Sequence, residues 1–260
     1  MSIWVLILLC VVQGLTEFLP VSSSGHLMFV EQVFGVSGNL MFLNLFLHIA
    51  TLLAVVIVYR KIIWKILKKP FCGVTLKLLI ATICSVTLAF LYEFSGIENF
   101  ITKIYPFGFL TTSLLLLACH LFQKRAVAIK NDDISIKNSL LVGVVQGVAV
   151  IPGLSRSGST ISSLVLSGND EQKSSEFSFL LSIPIIVGGF VIELLKMNKS
   201  GINIEFFNIK TCIFTFFLTF IVSLLALKLT IRLLKKQKFI IFSFYTFLMF
   251  IVTFILNYLI

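Results

Sequence analysis

The segment Val12-Gln13-Gly14-Leu15-Thr16-Glu17-Phe18-Leu19-Pro20-Val21-Ser22-Ser23-Ser24-Gly25-His26 has a counterpart 133 residues further on. That counterpart is Val145-Gln146-Gly147-Val148-Ala149-Val150-Ile151-Pro152-Gly153-Leu154-Ser155-Arg156-Ser157-Gly158-Ser159-Thr160. The pairs Gln-Gly and Ser-x-Ser-Gly keep the register, and both copies interrupt an otherwise apolar chain. They differ in their chemistry: the first offers the carboxylate of Glu17 and the imidazole of His26, the second the guanidinium of Arg156.

The surrounding composition sets the solvent. Of 260 residues, 58% are hydrophobic and only 12% charged, with a mean hydropathy of +1.07. A soluble domain carries about 25% charged residues, so this chain lacks the polar surface it would need in water and reads as membrane-resident. The net charge of +10 is placed in short blocks between apolar runs, which excludes the continuous basic surface that nucleic acid requires. Five cysteines (Cys10, Cys72, Cys84, Cys119, Cys212) stand singly among apolar residues without a CxxC pair, and read as small hydrophobes. The apolar stretch from Ile3 runs into Gln13 and Glu17 without cleavage-site chemistry, and so reads as mature protein rather than a signal peptide.

Six stretches reach the ~20 apolar residues of a helical span: about 40–59, 75–94, 106–122, 177–195, 212–231 and 239–259. Basic clusters follow the first (Arg60, Lys61, Lys65, Lys68, Lys69), the third (Lys124, Arg125, Lys130) and the fifth (Arg232, Lys235, Lys236, Lys238), which places all three on the cytoplasmic side. Loop 96–104, holding only Glu98 and Lys103, suits the outer face. Span parity then forces 139–168 to begin and end inside, so it enters the membrane and retreats, broken at Pro152 to Thr160. Residues 3–38 form the matching hairpin from outside, broken at Pro20 to Gly25. Irregular backbone at membrane depth is tolerated only against protein or a wet cavity. The expected fold is therefore an all-α integral membrane protein with an inverted-topology repeat, each half a re-entrant broken-helix hairpin plus three transmembrane helices. It forms a single membrane domain over 1–260, with repeats at about 1–125 and 135–260.

Gln13 and Glu17 are four apart and share a helix face, and an intramembrane carboxylate is costly unless it has a partner or a task. Metal coordination, orientation of His26 and proton transfer are each open to Glu17, as is a structural role. His26 lies just past a helix break, where imidazole can move a proton or attack phosphorus. His48, beside Asn44 in the first span, reads as a structural contact or pocket edge; His120 sits near the cytoplasmic end of another span. Arg156 carries a fork of donors suited to two phosphate oxygens, and Ser155, Ser157, Ser159 and Thr160 add hydroxyls. Gly153 and Gly158 let amides turn toward an anion, and in the first loop Ser22, Ser24 and Gly25 supply hydroxyls and loop amides for the same phosphate. Further on, Glu176 is expected to cap the fourth span or bind a loop, and Pro184 to kink it; Glu193 needs only a water-exposed position near its outer end.

At these residues the chain resembles the bacterial undecaprenyl-diphosphatase family, historically linked to bacitracin resistance. The resemblance rests on Gln13 with Thr16 to Ser23 and Gly25-His26, on Pro152 to Thr160, and on Glu176 to Pro184. It implies hydrolysis of undecaprenyl diphosphate to undecaprenyl phosphate and inorganic phosphate, recycling the carrier lipid for peptidoglycan. It carries over Glu17, Ser23, His26 and Arg156 as catalytic residues and a divalent cation, magnesium or calcium, as cofactor, with Gln13 and Glu17 as its candidate ligands. The family location is the bacterial inner or plasma membrane, multi-pass among membrane lipids, with the site open to the periplasmic or extracellular side. A homodimer is left open, and no nucleic acid is implied. The departures are Gln13, which removes one possible metal carboxylate, and Ser24, where Thr is common.

Attack by His26 on the terminal phosphorus, with Glu17 orienting its ring and Ser23 on the phosphate, is the preferred chemistry at this level. Nucleophilic Ser23 and direct attack by water remain open. The competing functional class is a polyprenyl-phosphate transporter or flippase, since inverted repeats with broken helices also build transporters.

Overall fold

The computed structural model describes residues 2–36, 41–70, 73–96, 103–126, 133–200 and 209–258. Cys72, Glu98 and Lys130 lie outside the described residues, as do the side chains of Lys124, Arg125 and Glu193.

The described residues form ten α-helices. In chain order they are α1 (Ile3–Thr16), α2 (Ser23–Val33), α3 (Met41–Lys68), α4 (Gly73–Phe94), α5 (Tyr105–Ala126), α6 (Ile136–Val148), α7 (Arg156–Leu166), α8 (Glu171–Ser200), α9 (Ile209–Lys235) and α10 (Phe239–Tyr258). Two short helices followed by three long ones thus occur twice. Six of the long helices are long and apolar enough to cross a bilayer, and the chain is a multi-pass membrane protein. The first span runs past the expected 59 to Lys68, so its basic residues ride on helical extensions.

The fourth span starts earlier than the apolar run implied. Asp170 Oδ1 accepts from the backbone N–H groups of Gln172 and Lys173, at 2.8 and 3.0 Å, and starts α8 at Glu171. Glu176 therefore lies inside the helix, where it faces Lys173 at 3.9 Å instead of capping. Pro184 sits within α8, as its position in an apolar run suggested.

The core is apolar, but so is much of the surface, and small polar residues fill the helix seams. Trp4, Trp64, Phe94, Leu121, Ile209 and Phe244 are exposed, whereas Thr215, Thr219, Ser223 and Thr230 on α9 are buried. Lipid is as apolar as leucine, so helices associate through small residues that let backbones close up. Gly14 on α1 meets Thr219 and Val222 of α9, and Gly143 and Gly147 on α6 meet Ala81 and Leu88 of α4. A Cβ at Gly147 would stand 2.6 Å from Leu88 Cβ, so that seam depends on glycine. Helices α5 and α10 form a third seam, closed by reciprocal bonds in which Ser113 and Ser243 each donate to the other's carbonyl at 2.9 Å.

Candidate active site

Both short-helix pairs break at the duplicated motif, and the residues common to the two copies make the caps. Ser22 caps α2 with its Oγ accepting from Gly25 N at 3.3 Å; Ser155 caps α7 with its Oγ accepting from Gly158 N at 3.0 Å. Each capping hydroxyl also lies beside the serine two residues on, Ser24 at 3.4 Å and Ser157 at 3.3 Å. Ser22 holds φ at 71°, a conformation that side chains rarely adopt and that concentrates at functional turns.

The two breaks interlock. Gly25 is pressed on Gly153, such that a Cβ would lie 2.8 Å from Gly153 Cα and 2.6 Å from Phe109 Cζ. In the same way Gly158 faces Pro20, and Ser157 Oγ donates to Leu19 O at 3.0 Å. From α5, Thr112 Oγ1 accepts from Ser155 N at 2.9 Å and also lies 3.3 Å from Gly153 O, fixing the second loop. Gly153 adopts φ +82°, where a side chain would be strained as well as crowded.

With the caps superposed in register, Ser23 and Arg156 occupy the same first helical position of α2 and α7, and they converge on one carboxylate. Glu17, with a side chain only 1% exposed, accepts from Ser23 Oγ at 2.7 Å and from Gln13 Nε2 at 3.1 Å through Oε2. Its Oε1 accepts from Arg156 Nη2. His48 Nε2 stands 3.8 Å from Oε2, so this histidine is both the polar contact and the pocket edge that its position suggested.

His26 is placed differently from the expectation that Glu17 orients its ring. Nδ1 lies 2.6 Å from Ser22 O, and Nε2 lies 2.7 Å from the hydroxyl of Tyr245, whose ring stacks parallel to the imidazole. A carbonyl can only accept, so Nδ1 carries the proton and, in the neutral ring, Nε2 accepts from Tyr245. Both nitrogens are engaged without Glu17, because the helical turn from Ser22 to His26 points the ring at α10. Nothing local in the run Phe242 to Phe250 marks Tyr245 as a partner; only the packing of α10 on α5 brings it there.

A cavity of about 780 Å³ opens onto this centre. Thr16, Glu17, Ser22, Ser23, Ser24, His48, Gln146, Ser155, Arg156 and Ser157 provide its polar wall; Val86, Ala89, Phe90 and Phe94 of α4 with Ile185 and Ile192 of α8 provide the apolar one. A smaller cavity of about 190 Å³ between α3 and α8 shares His48, Arg156, Ile185 and Gly189 with it. Gly25, His26, Gly153, Gly158, Ser159 and Thr160 are not among the lining residues. The glycines build the loop crossing instead, and Thr160 Oγ1 contacts Ser178 Oγ at 2.6 Å, tying α7 to α8.

Among the described residues, no three of His, Cys, Asp and Glu cluster to cage a metal. Oxygens that a cation could use here include those of Glu17 and the buried, unpartnered Oε1 of Gln13 just behind it; Gln146 Oε1 and Glu93 lie elsewhere on the cavity wall. That set fits a cation that takes most of its ligands from water and a phosphorylated substrate, as magnesium does.

The fold and site define a multi-pass membrane protein with a buried polar centre: two broken helices present a hydroxyl and a guanidinium to a buried acid, in the wall of a half-polar, half-apolar cavity. The chain belongs to the bacitracin resistance protein BacA family, whose sequence model matches residues 6–252. It is 32% identical over 250 residues to an undecaprenyl-diphosphatase of Carboxydothermus hydrogenoformans, covering 94% of this chain and 93% of that protein. It is also 36% identical over 258 residues to an undecaprenyl-diphosphatase of Thermosipho africanus, covering 95% and 98% respectively.

Proposed function

We propose that this chain hydrolyses undecaprenyl diphosphate to undecaprenyl phosphate and inorganic phosphate in the bacterial plasma membrane, returning the carrier lipid for cell-wall synthesis. The names of its relatives support the substrate. The observation that carries the chemistry is the carboxylate of Glu17 bridging Ser23 and Arg156 in the wall of a half-polar, half-apolar cavity. Such a cavity takes a diphosphate at its centre and the first prenyl units along α4 and α8, and burial of a prenyl chain is favourable by ~0.8 kcal/mol per CH₂ relative to water.

In this reading Arg156, whose side chain is 23% exposed, turns from Glu17 to the terminal phosphate when substrate enters. The carboxylate is then free to take the proton of Ser23. The Ser23 Oγ–phosphorus bond forms as the bond from that phosphorus to the bridging oxygen breaks, and the electron pair leaves on the lipid phosphate. The N-termini of α2 and α7 add positive potential where the three phosphate oxygens crowd. Water then attacks the phosphoserine, losing its proton to the departing phosphate, while Glu17 returns its proton to Ser23. His26 acts as a positioning residue that clamps Ser22 to Tyr245 and so fixes the strained turn before Ser23. Magnesium or calcium held by Glu17, Gln13 Oε1 and substrate oxygens would supply charge neutralisation at the phosphates.

Outer-face access is part of the proposal. The cavity is lined by residues 85–94 of α4 and 185–192 of α8, the ends that the basic-cluster rule assigns to the periplasmic or extracellular side. The exchange of seams, α1 on α9 and α6 on α4, supports a two-fold relation between the halves, and their opposite topology rests on span parity. Quenched single-turnover reactions with substrate radiolabelled in its terminal phosphate test the chemistry. Label on Ser23, lost in Ser23→Ala, is the expected result; label on His26, or no adduct with inversion at phosphorus, overturns the serine assignment.

A further inference from the structure

Gln146 is 3% exposed, lines the large cavity, and has neither its Nε2 nor its Oε1 in a hydrogen bond. A buried side-chain amide has two donor hydrogens and an acceptor to satisfy, and native interiors rarely leave all of them idle. The repeat explains why no protein group pairs with this amide. Its counterpart Gln13 donates to Glu17 four residues later, but the residue four after Gln146 is Val150. The amide is thus kept at the second site without the acid that occupies it at the first.

Its surroundings indicate the ligand. The α4–α6 seam closes at Gly143 and Gly147 and through Ser85 Oγ, which donates to Gly143 O at 2.9 Å, so Gln146 is fixed where the polar loops meet the apolar wall of α4. Ser23, Glu17 and Arg156 stand at the polar centre; Val86, Ala89 and Phe90 line the apolar side. Resting on the diphosphatase reading above, we infer that Gln146 binds the lipid-attached phosphate of the substrate, its Nε2 donating to an oxygen of that group. A neutral amide suits this position. It helps to hold the diphosphate in register for attack on the terminal phosphorus, yet adds no charge that would retain the monophosphate product.

The test compares wild type, Gln146→Met and Gln146→Glu in detergent, using farnesyl diphosphate as substrate and inorganic pyrophosphate and inorganic phosphate as inhibitors. Met keeps the length without hydrogen bonds; Glu keeps the shape but adds repulsion. Both variants are expected to raise KM for farnesyl diphosphate about tenfold or more, ~1.4 kcal/mol per factor of ten, and to weaken pyrophosphate inhibition similarly. The Ki for inorganic phosphate, which needs only the terminal subsite, stays within about twofold. The melting temperature of Gln146→Met is equal to or above that of wild type, because an idle amide is removed. An unchanged KM, a parallel weakening of both inhibitors, or a drop in melting temperature with general loss of kcat overturns the inference. Absence of hydrolysis by the wild type would instead defeat the diphosphatase reading on which it rests.

Discussion

Removing Arg156 should damage the protein more than removing Glu17 and Arg156 together. The reason is the difference in burial across the pair: the Glu17 side chain is 1% exposed and that of Arg156 is 23% exposed. In Arg156→Ala the carboxylate stays buried with only Ser23 and Gln13 as donors, and stranding one member of a buried pair costs ~3–5 kcal/mol. In Glu17→Gln the guanidinium reaches cavity water, and a neutral amide of the same shape still accepts from Ser23, so the cost is about 1 kcal/mol. The double variant Glu17→Gln/Arg156→Ala has no buried charge and recovers ~2–3 kcal/mol relative to Arg156→Ala, a coupling typical of residues in contact. For a chain of this size 1 kcal/mol moves the melting temperature by ~2–4 °C. Thermal unfolding of purified protein in one detergent should therefore rank wild type first, Glu17→Gln next, then the double variant, with Arg156→Ala lowest. Phosphate release should be lost in all three variants. A double variant as unstable as Arg156→Ala would refute the stranded-charge argument, as would an Arg156→Ala melting point within 2 °C of wild type, a shift of ~1 kcal/mol or less.

Gly25→Ala should lower activity about 100-fold, because its Cβ would lie 2.6 Å from Phe109 Cζ and shift Ser23 relative to Arg156; steady-state kinetics of phosphate release check this. Thr112→Val leaves Ser155 N without its acceptor at a cost of ~1–3 kcal/mol, whereas Thr112→Ser retains the bond; their melting temperatures should separate accordingly. Tyr245→Phe removes the hydroxyl on His26 Nε2 and should lower kcat less than about tenfold, while Ser23→Ala abolishes turnover. Equal losses in those two variants would return the nucleophilic role to His26. Chelation of divalent cations should abolish phosphate release, and added magnesium should restore it.

Much of the site was legible because broken backbone in a membrane is costly and so marks itself. Pro20 to Gly25 and Pro152 to Thr160 stand out against apolar helix, and cap chemistry explains why the shared residues are Ser and Gly. The extent of α8 was not legible from hydropathy, since its first turn is polar and its start is set by Asp170. Nor did any local signal separate the hydroxyls that face the cavity from those, such as Thr160, that bind one helix to another. Both kinds are the same residue types at the same spacing.

The sequence by itself determined the membrane setting, the helical class, the two breaks and the residue types gathered at them, because the lipid solvent demands satisfied backbone and penalises idle charge. Only the tertiary structure decided which of those residues meet. Glu17 and Arg156 are 139 residues apart, and His26 and Tyr245 are 219 apart. Their pairing depends on how the two broken helices cross at Gly25 and Gly153 and on which face of α10 packs inward. Periodicity along one helix sets a side chain's direction about its own axis, but not the neighbour toward which that axis is turned.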